Sequence, residues 1–168
     1  MSTPRPPFKV AGIAQLKHMN VRKEGPDDEK ILAVDLKLEI EGIDRSICDY
    51  FDDALSEFLW RHETTGLIAR NAFLQPVAYA HEISSASVEI EGAHFVGCDV
   101  RKFSIRPNDG GVIDLICSVS IYPGANDVAD LAKRVQDGVR IAIEGPPDLF
   151  DAVTVLTFPG ATATGSAA

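Results

Sequence analysis

A chain of 168 residues, 45% apolar and 24% charged, has the length of one domain or two small packed halves. It carries enough apolar material for a sizeable core, which excludes a disordered composition. Its net charge of −9 excludes simple electrostatic adhesion to nucleic acid or anionic membrane, because both repel an acidic protein at long range. That total hides a polarity. Residues 1–23 carry five bases (Arg5, Lys9, Lys17, Arg22, Lys23) and no acid, residues 24–63 thirteen acids against four bases, and the remainder seven bases against twelve acids. A local basic site on an acidic chain is compatible with this layout.

In chain order, residues 1–7 read as a flexible Pro-rich arm, followed by a single α+β domain over 8–159. Strands are predicted at 8–23 and 30–42, joined by the turn-former cluster Glu24-Gly-Pro-Asp-Asp-Glu29. The second alternates Leu32, Val34, Leu36, Leu38 and Ile40 against Ala33, Asp35, Lys37, Glu39 and Glu41, the period of a half-buried strand. Over 44–61 the period changes: Ile47, Tyr50, Phe51, Ala54, Leu55, Phe58 and Leu59 form one helical stripe, with Asp44 or Ser46 as N-cap. Gly66, Asn71 and Pro76 interrupt 62–84, which reads as an irregular connection with an edge strand near 77–81. Strands follow at 86–91, 94–106 and 112–122, the last two joined by the tight-turn sequence Pro107-Asn-Asp-Gly-Gly111. A helix at 126–137 stops at Gly138. Strands at 139–144 and 152–158 and a disordered tail at 160–168 complete the chain.

The two halves look duplicated. Leu16-Lys-His-Met-Asn-Val-Arg22 aligns with Val100-Arg-Lys-Phe-Ser-Ile-Arg106 at an offset of 84, and Val34-Asp-Leu36 with Ile113-Asp-Leu115. The expected fold is two antiparallel hairpin-plus-helix units, 8–62 and 86–145, joined by 63–85 around a pseudo-twofold, clamp-like or as packed sheets.

Catalytic signatures are missing from the sequence: it holds no GxxxxGK[ST], GxSxG or HExxH motif. His18, His62, His81 and His94 are scattered and make no metal-ligand spacing. Cys48, Cys98 and Cys117, an odd number without a CxxC pair, read as reduced, buried small hydrophobes. No enzyme activity, metal or cofactor is therefore expected. The N-terminus lacks the apolar run of a signal peptide, and no stretch approaches the ~18 apolar residues of a membrane helix, so the expectation is a soluble cytoplasmic protein with no membrane partner.

Two surfaces stand out. Alternation turns His18, Asn20 and Arg22 outward on the first strand and Lys102, Ser104 and Arg106 outward on its counterpart. Each copy thus presents a basic-polar-basic stripe, which Asp35 and Asp114 on the partner strands can pair. With Lys17, Lys23 and Arg101 these residues are the candidate nucleic-acid contacts, positioning phosphates without reading bases. The second surface is the acidic helix face Asp49, Asp52, Asp53 and Glu57, suited to a protein partner that normally grips nucleic acid.

The segments Asn20-Val-Arg-Lys-Glu24 and Ala33-Val-Asp-Leu-Lys37, with the later Leu131, Val135 and Val139-Arg-Ile-Ala-Ile143, resemble a group of small uncharacterised phage and prophage proteins carried among recombination and replication genes. The resemblance implies a setting in phage DNA metabolism and no defined catalytic residues. At the level of fold, the duplicated unit resembles the modules of DNA sliding clamps, although a clamp lines DNA with basic helices and helix 44–61 is acidic. The function these readings imply is a non-enzymatic accessory protein of phage DNA replication or recombination, binding DNA or a DNA-handling enzyme. The alternative is an acidic, DNA-mimicking inhibitor of a host nucleic-acid enzyme. An exposed hairpin edge is also compatible with a homo-oligomer.

Overall fold

Strict apolar alternation gives the chain long strands. The computed structural model, which describes residues 5–70 and 75–146, contains β1 (Lys9–Glu24) and β2 (Ile31–Asp44) as an antiparallel hairpin with Met19 opposite Leu36 and Val21 opposite Val34. After a helical insertion come β6 (Ile83–Ile90), β7 (Ala93–Asn108) and β8 (Val112–Ile121), a meander, and finally β9 (Gly138–Glu144). Every pairing is antiparallel, and the order β7-β6-β9-β1-β2-β8 closes on itself because β7 also pairs with β8. The result is a six-stranded ring. Strands β6 to β9 form a Greek key, β9 returning to lie beside β6. Closure leaves no long open edge along most of the ring.

The inward residues of all six strands make one core, including Leu16, Leu36, Leu38, Val88, Ile105, Leu115, Cys117, Val119 and Ile141, all buried. Fully burying each such side chain is worth about 1.5–3 kcal/mol. The architecture is thus predominantly antiparallel β with a few short helices, which is coarser than the expected α+β arrangement of two units.

The single helix expected over 44–61 is broken. Residues 45–47 form a 3-10 turn capped by Asp44, followed by α1 (Cys48–Phe51) and α2 (Leu55–Leu59). The break falls at Asp52, whose backbone is extended and whose carboxylate accepts a hydrogen bond from the Ala54 amide at 2.8 Å. An Asp that bonds nearby backbone offers the chain an alternative to the helical ladder, which apolar periodicity does not register. The stripe holds in part: Ile47, Phe51, Leu55 and Leu59 are buried and Tyr50 is half-buried, whereas Ala54 and Phe58, which follow the break, are exposed.

The connection read as irregular also holds regular structure. β3 (Trp60–Glu63) and β4 (Gly66–Ala69) form a separate hairpin, and β5 (Val77–Tyr79) pairs with residues 103–105 of β7, where the edge strand was expected. Trp60 anchors the hairpin to the ring by donating its indole N–H to the Asn108 carbonyl at 2.8 Å. The second helix, α3 (Ala125–Ala132), is shorter than the expected 126–137. Its follow-on turn is diverted to β1: the Gln136 amide donates to the Leu16 carbonyl at 2.7 Å, its side chain to the Lys17 carbonyl at 2.6 Å, and the Leu16 amide donates to the Asp137 carbonyl. These bonds satisfy β1 backbone just where β9 stops pairing, after Gln15. The strand expected at 152–158 and the tail at 160–168 lie outside the described residues.

Candidate nucleic-acid interface

Sheet alternation places one side chain of every two on the outside of the ring, and the outer face across β1, β2, β8 and β7 carries most of the residues singled out in the sequence. A groove of about 540 Å³ runs over this face, lined by His18 and Asn20 of β1, Asp35, Leu36 and Lys37 of β2, Ile116 and Ser118 of β8, and Lys102 and Ser104 of β7. The hairpins β1–β2 and β7–β8 contribute its two sides.

Both long strands carry a bulge at the groove. In β1 the register slips between Leu16 and His18, and in β7 between Arg101 and Ser104. A bulge inserts an extra residue and re-aims the side chains around it. The extra residue of β7 lies at Lys102, whose φ of +57° is in the left-handed region, a conformation that costs a non-glycine residue about 1–2 kcal/mol.

At one end of the groove a polar lock ties all four strands together. Arg22 donates through Nε to Asp35 Oδ2 at 2.8 Å and through Nη2 to Oδ1 at 3.2 Å. Ser120 donates its hydroxyl to Oδ1 at 2.6 Å, and Arg101 Nη2 lies at 3.5 Å from the same oxygen. The Arg22 hydrogen bonds, helped by Ser120 and by the charges of Arg22 and Arg101, hold the Asp35 carboxyl down at about 2 against the opposing effect of burial. Arg22 in turn is raised, chiefly by its hydrogen bond to Asp35. The one carboxylate in the groove is thus flanked by two guanidinium groups.

Lys37 and Lys102 differ. Among the described residues, neither forms an ion pair, and both side chains are exposed. The groove therefore offers two unpaired ammonium groups, an imidazole, an amide and two hydroxyls, with no aromatic in its lining. Such a set can hold the oxygens of phosphate groups by charge and by hydrogen bonds.

Of the expected contacts, His18 and Lys102 meet in the groove, while Arg22 and Arg101 meet at Asp35. Lys17 sits on the flank, paired with Glu39 at 3.1 Å. Lys23 lies exposed near the tip of the β1–β2 hairpin, and Arg106 is exposed opposite Asp114 at the other end of β7. Asp114 accepts the Gly42 amide at 3.3 Å. Sequence reasoning set Lys37 on the outward row of its strand without counting it among the contacts, and missed Ser118, which the same alternation along β8 would have found.

The acidic residues are divided. Asp49, Asp53 and Glu57 line a second groove of about 630 Å³ with Asp44, Arg45, Ser46, Ser56 and His62, whereas the Asp52 carboxylate caps Ala54. Among the described residues, no three His, Cys, Asp or Glu side chains are grouped to hold a metal ion. Nor does any helix among them have the length and apolarity to cross a membrane. Comparison with protein-family models, curated proteins and solved structures finds no match to this chain.

Proposed function

We propose that the protein is a non-enzymatic, cytoplasmic accessory of phage DNA replication or recombination that binds a nucleic-acid backbone in the outer groove of β1, β2, β8 and β7. The observation that supports this reading is the unpaired state of Lys37 and Lys102 in a groove whose single carboxylate, Asp35, is already flanked by Arg22 and Arg101. On a chain of net charge −9, two such lysines in one groove make a local anion site against the global field. The strained backbone of Lys102 points the same way, because strain of this kind clusters at ligand-binding positions.

We also propose that the site takes its form from the duplication expected from the sequence. Strands β1 and β7, each of 16 residues, start 84 residues apart. The pairing of β1 with β9 (Lys9 to Glu144, Val10 to Ile143, Ala11 to Ala142) parallels that of β7 with β6 (Ala93 to Ile90, His94 to Glu89, Phe95 to Val88). Within that proposal Leu115 is taken as the counterpart of Val34, since Val21 pairs with Val34 and Ile105 with Leu115, in place of the alignment of Val34 with Ile113. On that basis His18 corresponds to Lys102, Asn20 to Ser104, Asp35 to Ile116 and Lys37 to Ser118. The groove then straddles the pseudo-twofold, and β6 is the closing strand of the first copy as β9 is of the second.

The test is fluorescence anisotropy of labelled DNA with the wild-type chain and with Lys37→Glu/Lys102→Glu. Binding at low salt that weakens steeply as salt rises, and that falls at least about tenfold in the double variant, is the expected result. Equal affinity of the variant removes the groove from consideration. A second reading, an acidic inhibitor of a host nucleic-acid enzyme, is favoured by the shared groove of Asp44, Asp49, Asp53 and Glu57; it predicts capture of a nuclease that is lost on neutralising those carboxylates.

A further inference from the structure

The outward row of β8 continues beyond the groove. Ile116 and Ser118 line it, Ser120 bonds Asp35 in the lock, and the next residue with the same outward parity is Tyr122, directly after the strand. Tyr122 is 36% exposed, and it stands two residues beyond Ser120, the member of the lock that β8 supplies. At about 3.4 Å per residue, the row from Ile116 to Tyr122 extends about 20 Å. Phosphate-binding groups and an exposed aromatic ring therefore lie along one line, in the order Lys102 and Lys37, then the Arg22–Asp35–Arg101 lock, then Tyr122.

The pseudo-twofold does not repeat this ring. With Val34 matched to Leu115, the counterpart of Tyr122 is Glu41, on the outward row of β2. On the proposed duplication the aromatic ring is thus present at one end alone, where Asp99 stands opposite Ser120 and Glu24 pairs with Arg22. The Tyr122 hydroxyl can donate to a phosphate of either form, but the ring face finds no partner in a duplex, whose bases are stacked on one another. It adds a specific contact when a base is unpaired and its face is open. The charged groups alone would accept either form, so the ring face is the feature of this row that can tell them apart.

We infer that the groove takes single-stranded nucleic acid, with phosphates on Lys37 and Lys102 and one base stacked on Tyr122. This rests on the nucleic-acid reading above and adds to it a substrate class and a specificity-determining residue.

The experiment measures anisotropy with three labelled probes of equal length: a thymidine oligonucleotide, the same oligonucleotide in a duplex, and an abasic sugar-phosphate strand. The wild-type chain is expected to bind the thymidine strand about tenfold more tightly than the abasic strand, and more tightly than the duplex. Tyr122→Ala should bring the thymidine and abasic affinities together while leaving the abasic affinity little changed, and Tyr122→Phe should restore the difference, showing that the loss is not one of folding. Equal binding of all three probes by the wild type, or a preference that survives Tyr122→Ala, overturns the inference and leaves the backbone-binding reading standing. Failure of all three probes to bind at low salt overturns both.

Discussion

Arg22 and Asp35 are joined by two hydrogen bonds, 2.8 and 3.2 Å, that run diagonally across the β1–β2 hairpin, since the register opposes Arg22 to Ala33 and Asp35 to Asn20. The diagonal matters because it brings the carboxylate within reach of Ser120 on β8 and Arg101 on β7 as well. One side chain thus links the hairpin of the first half to that of the second. On the proposed function, stability and nucleic-acid binding draw on this carboxylate with opposite signs.

Asp35→Asn should therefore lower stability and raise DNA affinity together. The lock is partly exposed, so its loss costs about 1 kcal/mol after solvent screening is taken into account, read as a lower urea midpoint at pH 7. Removing the charge also releases Arg101 towards the groove, while Arg22 keeps its ion pair with Glu24, so binding at low salt should tighten by severalfold. The carboxyl is held at about 2, below its ordinary 3.8; its contribution is complete above the ordinary value and is lost as pH falls from about 4 through 2. Urea midpoints of the wild type should drop over that range more than those of the variant. A variant as stable as the wild type at pH 7, with the same acid dependence, would show that the lock contributes nothing.

At Lys102 the two properties separate in the other direction. Glycine relieves the left-handed strain of about 1–2 kcal/mol and costs about 0.5–1 kcal/mol through the freedom of the unfolded chain, so Lys102→Gly should be stabilising by less than about 1 kcal/mol. Calorimetry should show a melting temperature higher by about 1–3 °C, while anisotropy shows weaker DNA binding. Lower stability would mean that the lysine stem packs more than its exposure suggests.

The three cysteines should be silent until the chain unfolds. Cys48, Cys98 and Cys117 are free and buried, and burial pushes the thiols up to about 11, 11 and 12 respectively, leaving almost no thiolate at neutral pH. Titration with a chromogenic disulfide should give no fast-reacting thiol in buffer and three in denaturant. A fast phase in buffer would indicate that one of these segments opens.

Much of the fold was legible in the sequence because strand alternation is a strong local signal: β1, β2, β7, β8 and β9 lie within a few residues of where period-two apolar runs put them. Two features were not. The helical stripe over 44–61 is indistinguishable from that of an unbroken helix, since the interruption is a single Asp52 carboxylate finding the Ala54 amide. The end of α3 depends on where the carbonyls of Leu16 and Lys17 lie, more than a hundred residues away. For the site, parity along β1 and β7 turned His18 and Lys102 outward. That they share one groove with Lys37 follows only from the pairing of β2 with β8, a contact between strands far apart in the chain. Tyr122 lies at the end of the strand expected at 112–122, but the outward row of that strand, Asp114, Ile116, Ser118, Ser120 and Tyr122, carries no base to mark it.

The seam between β1 and β9 pairs Lys9 with Glu144, and so closes the ring across nearly the whole described chain. Hairpins such as β1–β2 and β7–β8 require only short loops and form quickly, whereas this junction must wait for a far larger loop closure. During synthesis β1 is made first, and its outer edge stays without a partner until β9 has been made. A nascent chain therefore carries an open strand edge for most of its elongation, the condition under which sheets pair with the wrong neighbour. Slow refolding and concentration-dependent losses on dilution from denaturant are the kinetic signature this closure implies.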